Sequence, residues 1–121
     1  MNVVLRDRAT VVVIRDNLVL LARDEGTDFF NMPGGGIEPG EPPEEAATRE
    51  LQEETGLIAR GAEALFVWDS TSQRHHVYRI ETRGEARTGG EVAELLWWDG
   101  ERAITTSPHV EVILERLRFN G

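Results

Sequence analysis

The sequence predicts a single α/β domain in which helices cover opposite faces of a β-sheet. Five short runs rich in β-branched and other apolar residues indicate strands, and two segments with helical periodicity lie among them. The chain has 121 residues, a length that suits one domain around one hydrophobic core. We therefore assign residues 1–121 to one domain.

The first two strands are predicted at residues 9–14 and 18–22, where residues 15–17 (Arg-Asp-Asn) indicate a hairpin turn between them. Residues 29–40 are predicted to form a loop, because they are too rich in glycine and proline for a regular element. Three more strands and a polar connection follow, at residues 64–68, 76–81 and 94–98 for the strands and 83–90 for the connection.

A helix is predicted from Pro43 to Thr55. Pro42 precedes another proline and so avoids the helical region, which makes Pro43 the natural first helical residue. Gly56 supplies the left-handed residue that ends many helices. A last helix begins after Ser107, and its apolar stripe consists of Val110, Ile113, Leu114 and Leu117.

Composition excludes several kinds of site. The chain has no cysteine, which removes disulfides, thiolate nucleophiles and cysteine metal ligands. All 13 basic residues are arginine, so a phosphate-binding lysine of the Walker type and a Schiff-base lysine are excluded. The formal net charge of −9 argues against a nucleic-acid partner, because such proteins present a basic face to the phosphate backbone.

Nothing in the sequence predicts a membrane segment. No apolar stretch approaches the roughly 20 residues that a membrane-spanning helix needs. Residues 1–6 lack the basic region and the apolar run of a signal peptide. We therefore expect a cytoplasmic protein, either a monomer or a homodimer.

The predicted helix at residues 43–55 carries an unusual group of acidic residues. Glu50, Glu53 and Glu54 fall within one narrow sector, because their spacing is i,i+3 and i,i+4. This sector borders the face that packs on the sheet, whereas Thr55 is expected on the opposite, solvent side. A solvated acidic face is the usual outcome for a run of charges and remains the alternative here.

Like charges at this spacing repel one another, so a counter-charge is expected nearby. Arg49 can bridge to Glu53 and back to Glu45 at i,i+4 spacing. A hard divalent cation would offset more of the repulsion, because magnesium prefers carboxylate oxygens as ligands. The adjacent glycine-rich loop offers carbonyl groups to a metal, and the amides of Gly34 and Gly35 to phosphate oxygens.

The fixed residues around this group follow a long spaced pattern. In order, they are Gly35, five residues, Glu41, seven residues, Arg49-Glu50-Leu51, one residue, Glu53-Glu54, one residue and Gly56-Leu57. The pattern resembles the complete 23-residue box of the Nudix family, with every fixed position filled. Phe30 stands where many relatives carry tryptophan.

The resemblance implies a Nudix-like α/β/α sandwich with a mixed β-sheet between helices. It also implies attack by water on the diphosphate linkage of a nucleoside diphosphate joined to a group X. By position, Glu53 and Glu54 would be the central ligands of magnesium, or of manganese in its place. Glu50 would serve as ligand or base, and a main-chain carbonyl at Gly34 or Gly35 would complete part of the metal shell. Arg49 would orient the carboxylates, and Glu41 would tie the loop to the helix.

Further candidate site residues lie outside the box. Several members of the family recruit one more glutamate, and we favour Glu91 over Glu94 because the Gly89-Gly90 turn before Glu91 permits a close approach. A surface carboxylate is the alternative for both. Arg23 follows the second strand and is a candidate to reach the substrate phosphates, although a solvated arginine is as compatible with the sequence.

Adjacent histidines and tryptophans give weaker signals. His75 and His76 should point to opposite faces of a strand, so they cannot easily share one metal ion. One of Trp97 and Trp98 should lie in the core, and the other, or Phe29, could stack on a nucleobase.

The sequence therefore supports a magnesium-dependent pyrophosphohydrolase acting on a nucleoside triphosphate or a modified nucleotide. ADP-ribose and dinucleoside polyphosphates remain open as substrates, because the box does not determine specificity. A non-catalytic sensor module that binds nucleotides with the same fold is the alternative of a different class. Such a module would be expected to lack a carboxylate of the box, and none is missing.

Overall fold

The computed structural model describes residues 4–119, in which nine regular elements follow one another. The strands are β1 (Arg6–Val12), β2 (Ile14–Arg15), β3 (Leu18–Asp24), β4 (Gly34–Gly36), β5 (Ile58–Asp69), β6 (Gln73–Arg83) and β7 (Val92–Trp98). The helices are α1 (Pro43–Thr55) and α2 (Pro108–Arg116). Residues 1–3, part of the segment in which the sequence predicts no signal peptide, lie outside the described residues.

The strands form two sheets. The larger sheet has the order β4-β1-β6-β5. It is mixed, because β1 and β6 run parallel whereas the pairs β1–β4 and β5–β6 are antiparallel. The smaller sheet has the order β2-β3-β7 and is antiparallel. The chain passes from one sheet to the other at Val13, between β1 and β2. The predicted α/β class with mixed pairing is confirmed, and the strands are shared between two sheets.

The two helices pack on opposite faces of this framework, as expected. Side chains alternate along β1, so Val11 and Val13 join the apolar cluster that includes Leu51 of α1. Val12 joins the other cluster, which includes Ile113 of α2. Each helix therefore covers its own half of the core.

The local signals place α1 correctly. The helix runs from Pro43 to Thr55, and Gly56 ends it with a φ of 69°. The prediction that Thr55 faces solvent is wrong, because this side chain is fully buried. Its hydroxyl donates to the Leu51 carbonyl at 2.6 Å and accepts a hydrogen bond from the Leu57 amide at 3.2 Å. These two hydrogen bonds satisfy the buried hydroxyl of Thr55.

The strands are longer than their apolar runs. β5 begins at Ile58 and not at residue 64, because it pairs with β6 along nearly its whole length despite two irregularities in register. The predicted loop at residues 29–40 contains the short strand β4, which pairs antiparallel with β1. Gly34 of β4 has a φ of 150°, and a Cβ there would collide with the Ala9 carbonyl oxygen, so only glycine fits.

Among residues 4–119, no helix is both long enough and apolar enough to span a bilayer.

Candidate active site

The acidic residues of α1 line one side of a cleft of about 310 Å³. The opposite sides come from the end of β3, from β4 and from the turn that precedes β7. The residues of this carboxylate cleft are Asp24, Gly34, Gly35, Glu50, Glu53, Glu54, Gly90 and Glu91. Five carboxylates from three separate stretches of the chain therefore face a single small space.

Glu54 is a partly buried carboxylate of the cleft. Its Oε1 accepts the Gly34 amide at 2.8 Å, so the strand β4 fixes its position. Burial raises the pKa of Glu54 to about 7, against the opposing effect of the Gly34 amide. The carboxylates of Glu50 and Asp24 raise this pKa further, although Arg8 opposes them. The cleft thus concentrates negative charge at a point with little water.

Gly35 allows the loop to approach Glu50. A Cβ at Gly35 would lie 2.5 Å from the Glu50 carboxyl carbon, which is closer than any two such atoms can come. The backbone of Gly35 does not lie in the left-handed region, so the reason for glycine here is the space taken by Glu50. By contrast, a Cβ at Gly36 would meet nothing within 4 Å.

Arg49 ties the carboxylates together. Its Nε and Nη2 donate to the two oxygens of Glu41 at 2.8 and 2.9 Å, and its Nη1 donates to Glu50 at 2.8 Å and to Glu53 at 3.4 Å. The hydrogen bonds from Arg49 lower the pKa of Glu41 to about 2. The predicted bridge from Arg49 to Glu53 is present. Glu41 takes the place of the predicted partner Glu45, because the loop that carries Glu41 folds back toward the helix.

We expect Arg49→Lys to lower kcat by about 10- to 100-fold, because an ammonium group cannot reproduce a planar fork shared by three carboxylates. Glu50 and Glu53 would lose their common orientation while the charge of the site stays the same. Steady-state kinetics on a substrate found by the product assay described below checks this prediction. Arg60→Lys, at an exposed position of β5, is the matched control and should leave kcat within about twofold of its original value.

The turn before β7 is fixed to the end of α1. The amides of Arg87 and Gly89 donate to the carbonyls of Thr55 and Glu54 at 2.9 and 3.1 Å, which satisfies groups that a helix end leaves free. A Cβ at Gly89 would collide with the Glu53 carbonyl oxygen. This close contact, permitted by glycine, brings Glu91 to the cleft.

The structure separates the two glutamates that the sequence offers outside the box. Glu91 lines the cleft, whereas Glu94 is paired with Arg23 at 3.1 Å on the neighbouring strand. Arg23 also donates to the Thr27 carbonyl at 2.8 Å, and it does not line the cleft in the described part of the chain. The preference for Glu91 therefore agrees with its position, while Arg23 is held by protein groups.

Two residues at the site lack a strong sequence signal. Asp24 enters the cleft because it ends β3 beside the glycine loop, a juxtaposition that only the sheet pairing creates. Arg8 has a buried guanidinium that donates from Nη2 to the Met32 carbonyl at 2.7 Å. Burial lowers the pKa of Arg8, and the carboxylates of Glu54 and Asp24 oppose this effect, so Arg8 acts as a fixed counter-charge.

A larger cavity of about 760 Å³ is lined in part by Arg8, the counter-charge of Glu54. Its walls include Phe29, Asn31, Trp68 and Ser107, so it combines aromatic faces with hydrogen-bonding groups. Phe29 is thus in a position to stack on a ring, as the sequence suggests. The tryptophans of β7 pack against the two apolar clusters and do not line this cavity in residues 4–119.

The two adjacent histidines point to opposite faces of β6. His75 is buried, meets the Thr10 hydroxyl at 2.8 Å through Nδ1, and lies beside the ring of His109 at 4.7 Å. Burial lowers the pKa of His75 to about 4. His76 contacts Asp7 at 2.8 Å. Because the two side chains diverge, they do not form a metal pair.

The carboxylate cleft fits a hard divalent cation in its chemistry. Within residues 4–119, no three acidic or histidine side chains converge on one point, because Glu50 and Glu53 turn toward Arg49 and Glu54 toward Gly34. The donors are nevertheless all oxygens, and the repulsion that Glu50 and Asp24 exert on Glu54 is what such a cation would relieve.

Comparisons with known proteins identify a family and relatives of this chain. A family model described as the NUDIX domain matches residues 4–116. An ADP-ribose pyrophosphatase of Methanocaldococcus jannaschii is 36% identical over 98 residues, which cover 73% of this chain and 58% of that protein. A candidate 8-oxo-dGTP diphosphatase of Bacillus subtilis is 34% identical over 94 residues, which cover 74% of this chain and 63% of that protein. The chain thus spans about three fifths of the length of these relatives.

Solved structures resemble the whole described chain. The crystal structure of a candidate Nudix hydrolase family member from Chromobacterium violaceum superposes with a TM-score of 0.86 at 25% identity, covering 98% of this chain and 79% of that one. A MutT NUDIX hydrolase from Burkholderia pseudomallei has a TM-score of 0.79 at 22% identity and covers 93% of this chain and 97% of that one, a likeness of fold alone.

Proposed function

The chain belongs to the Nudix family, and we propose that it is a metal-dependent hydrolase that cleaves the diphosphate linkage of a nucleotide-like substrate. The observation that carries this proposal is the carboxylate cleft, which five acidic side chains line beside a glycine-rich strand. So many carboxylates close together destabilise the metal-free protein, because like charges repel one another. Their oxygens suit the binding of divalent cations, and bound cations can in turn hold a diphosphate.

Glu50, Glu53 and Glu54 would hold the metal, together with a main-chain carbonyl of Gly34 or Gly35. Bound magnesium, or manganese in its place, supplies neutralisation of the diphosphate charge and a lowered pKa for water. Arg49 keeps Glu50 and Glu53 in one orientation, and Gly34 holds Oε1 of Glu54.

We assign to Glu91 the role of general base, which accepts the proton of the attacking water. Its side chain makes no hydrogen bond to the described residues, whereas Glu50, Glu53 and Glu54 are engaged by Arg49 or Gly34. A carboxylate that is free to approach water is suited to act as a general base.

Exchange of Glu91 for glutamine is therefore expected to lower kcat by about 10- to 1000-fold, because an amide cannot accept the proton. Glu94→Gln is the matched control, since it removes a carboxylate from the same segment but outside the cleft. It should leave kcat within about threefold of its original value. Equal losses in the two variants would rule out the assignment of the base to Glu91.

The larger cavity is suited to the nucleoside or to the group X. Arg8 lines it and also acts on the charge of Glu54 in the cleft, and Phe29 and Trp68 offer aromatic faces to a ring. A nucleoside triphosphate or a modified nucleotide is the substrate class that we favour. The Bacillus subtilis relative is named for a substrate of this class, whereas the Methanocaldococcus jannaschii relative makes ADP-ribose the second candidate.

The test is product formation from triphosphates, oxidised triphosphates, ADP-ribose, sugar nucleotides and dinucleoside polyphosphates, with and without magnesium. We expect turnover of one class that depends on the metal and falls by about two orders of magnitude or more in Glu53→Gln. Glu53 is the control because its carboxylate is half exposed, so the exchange disturbs the fold little. A folded protein that binds nucleotides with a raised melting temperature but releases no product would overturn the proposal in favour of a binding module.

A further inference from the structure

The residue that precedes α2 does not cap the helix in the usual way. Ser107 occupies the N-cap position with an extended backbone, yet its hydroxyl makes no capping hydrogen bond. A serine at this position normally accepts an amide of the first turn, which stabilises the helix by about 1 kcal/mol. Here the hydroxyl lies 2.9 Å from Nδ1 of His109 instead. The chain forgoes a local stabilising contact and forms a contact between two side chains in the wall of the large cavity.

The other ring nitrogen of His109 fixes the direction of this hydrogen bond. The Met32 amide donates to Nε2 of His109 at 3.2 Å, so Nε2 must present a lone pair. The proton of the neutral ring is then on Nδ1, and it is donated to the Ser107 oxygen. A protonated ring would place two donors against each other at Met32, and burial holds the pKa of His109 down at about 3. The ring is therefore neutral, with a single tautomer.

This arrangement leaves the hydroxyl hydrogen of Ser107 without a protein acceptor among residues 4–119. His109 takes one lone pair of its oxygen, so the hydrogen and the second lone pair are left to the cavity. Selection comes from the hydrogen, because an unpaired buried donor is costlier than an oxygen whose second lone pair is unfilled. Asn31 also lines this cavity, but an amide offers donors and an acceptor alike and does not select between them. The Ser107–His109 pair is thus a wall group that presents a donor in a fixed place.

We propose that Ser107 is a specificity-determining hydrogen-bond donor, oriented by His109, that selects substrates with a carbonyl oxygen at the matching position of the base over those with an amino group. The proposal rests on the proposed function, since it concerns the base of the same substrate. An amino group at that point would leave the hydroxyl hydrogen unpaired in a partly buried wall, and unpaired polar groups are costly. Hypoxanthine and uracil nucleotides fit this requirement, whereas adenine and cytosine nucleotides do not.

His109 acts through Ser107 and is a positioning residue. The segment that carries both residues is tied to the loop before the cleft, because the Phe30 amide donates to the Thr105 carbonyl at 2.8 Å and the Ser107 amide to the Phe30 carbonyl at 2.9 Å. The base-selecting wall and the glycine strand that holds Glu54 are therefore parts of one hydrogen-bonded unit.

The first test is nitrogen NMR of the protein with isotope-labelled histidine, in which the His109 signal is assigned by its loss in His109→Gln. The expected result is a neutral His109 with its proton on Nδ1. A proton on Nε2, or a ring that is charged near neutral pH, would overturn the proposal. This measurement depends on neither substrate nor turnover.

The second test is calorimetric binding of two matched pairs of monophosphates, inosine with adenosine and uridine with cytidine, in the presence of magnesium. We expect at least one keto member to bind about 5- to 20-fold more tightly than its amino partner, which is the ratio that one added hydrogen bond supplies. Ser107→Ala and His109→Gln should reduce this ratio to near unity. Ser107→Thr keeps the hydroxyl and should preserve it.

Thr105→Val is the matched control, because it removes an exposed hydroxyl from the same segment outside the cavity. The ratio should not change in this variant. A ratio near unity in the original protein, a ratio that survives Ser107→Ala, or no binding of either pair by the folded protein would each overturn the proposal. The product assay decides separately whether the chain is a hydrolase, so the two proposals can fail independently.

Discussion

Replacing Glu54 by glutamine is expected to remove most of the activity. The same exchange is expected to raise the stability of the metal-free protein against unfolding. The exchange keeps the shape of the side chain and the acceptor for the Gly34 amide. It removes a buried negative charge from a cleft that already contains Glu50 and Asp24. We expect kcat to fall by about two orders of magnitude or more, because a metal ligand is lost.

The gain in stability depends on pH in a defined direction. The pKa of Glu54 is raised from 4.5 to about 7 by folding, so the unfolded chain loses its proton first as the pH rises. The contribution of Glu54 to stability is most favourable below its pKa in the unfolded chain. It decreases between the two pKa values and stays low above the pKa in the folded protein. The full penalty is on the order of 3 kcal/mol, and Glu54→Gln should recover much of it at alkaline pH.

Thermal unfolding in EDTA across this pH range measures the effect. Glu54→Gln should melt at least about 5 °C above the original protein at the alkaline end, and the two should converge as the medium becomes acidic. The buried histidines destabilise the fold as the pH falls, but their contribution is common to both proteins and cancels in the difference. Glu63→Gln, an exposed exchange on β5, should show no such trend. A variant that is inactive but no more stable would contradict the role of burial at Glu54.

The second large effect is expected for Gly35→Ala. The added Cβ would sit 2.5 Å from the carboxyl carbon of Glu50, and the flexible Glu50 side chain would have to move aside. A displacement of about 1 Å of a catalytic group can cost about 100-fold in rate, and we expect a loss of kcat of that order. Because the backbone at Gly35 is not left-handed, the fold should be retained.

Gly36→Ala is the matched control, since it adds the same methyl group one residue later, into open space. Its kcat should stay within about twofold of the original value. Kinetics and melting temperatures of both variants check the prediction. Similar rates in the two variants would mean that the approach of the loop to Glu50 has no part in catalysis.

The parts of the fold that depend on local chemistry can be predicted from the sequence. The bounds of α1 follow from a proline pair and a glycine, and the common sector of Glu50, Glu53 and Glu54 follows from helical geometry. The hairpin after β2 is equally local, because Asp16 and Asn17 adopt the left-handed backbone that its tight turn requires.

The remaining features depend on contacts between distant residues. Asp24 lines the cleft and Arg8 acts on Glu54 only because β1, β3 and β4 meet there, and no local pattern reveals such a meeting. Glu41 replaces Glu45 as the partner of Arg49 because the loop folds back over the helix, a path that i,i+4 spacing cannot anticipate. The tautomer of His109 likewise depends on an amide that lies 77 positions away in the chain.

The position of β5 at the margin of the larger sheet bears on how the protein behaves at high concentration. In residues 4–119 this strand has a neighbour on one side only, along 12 residues that include the exposed Val67. A long free edge can recruit strands of other molecules and so start aggregation. Two bulges disturb the regularity of this edge, and the net charge of −9 makes molecules repel one another. Colloidal stability should therefore decline in high salt, where that repulsion is screened.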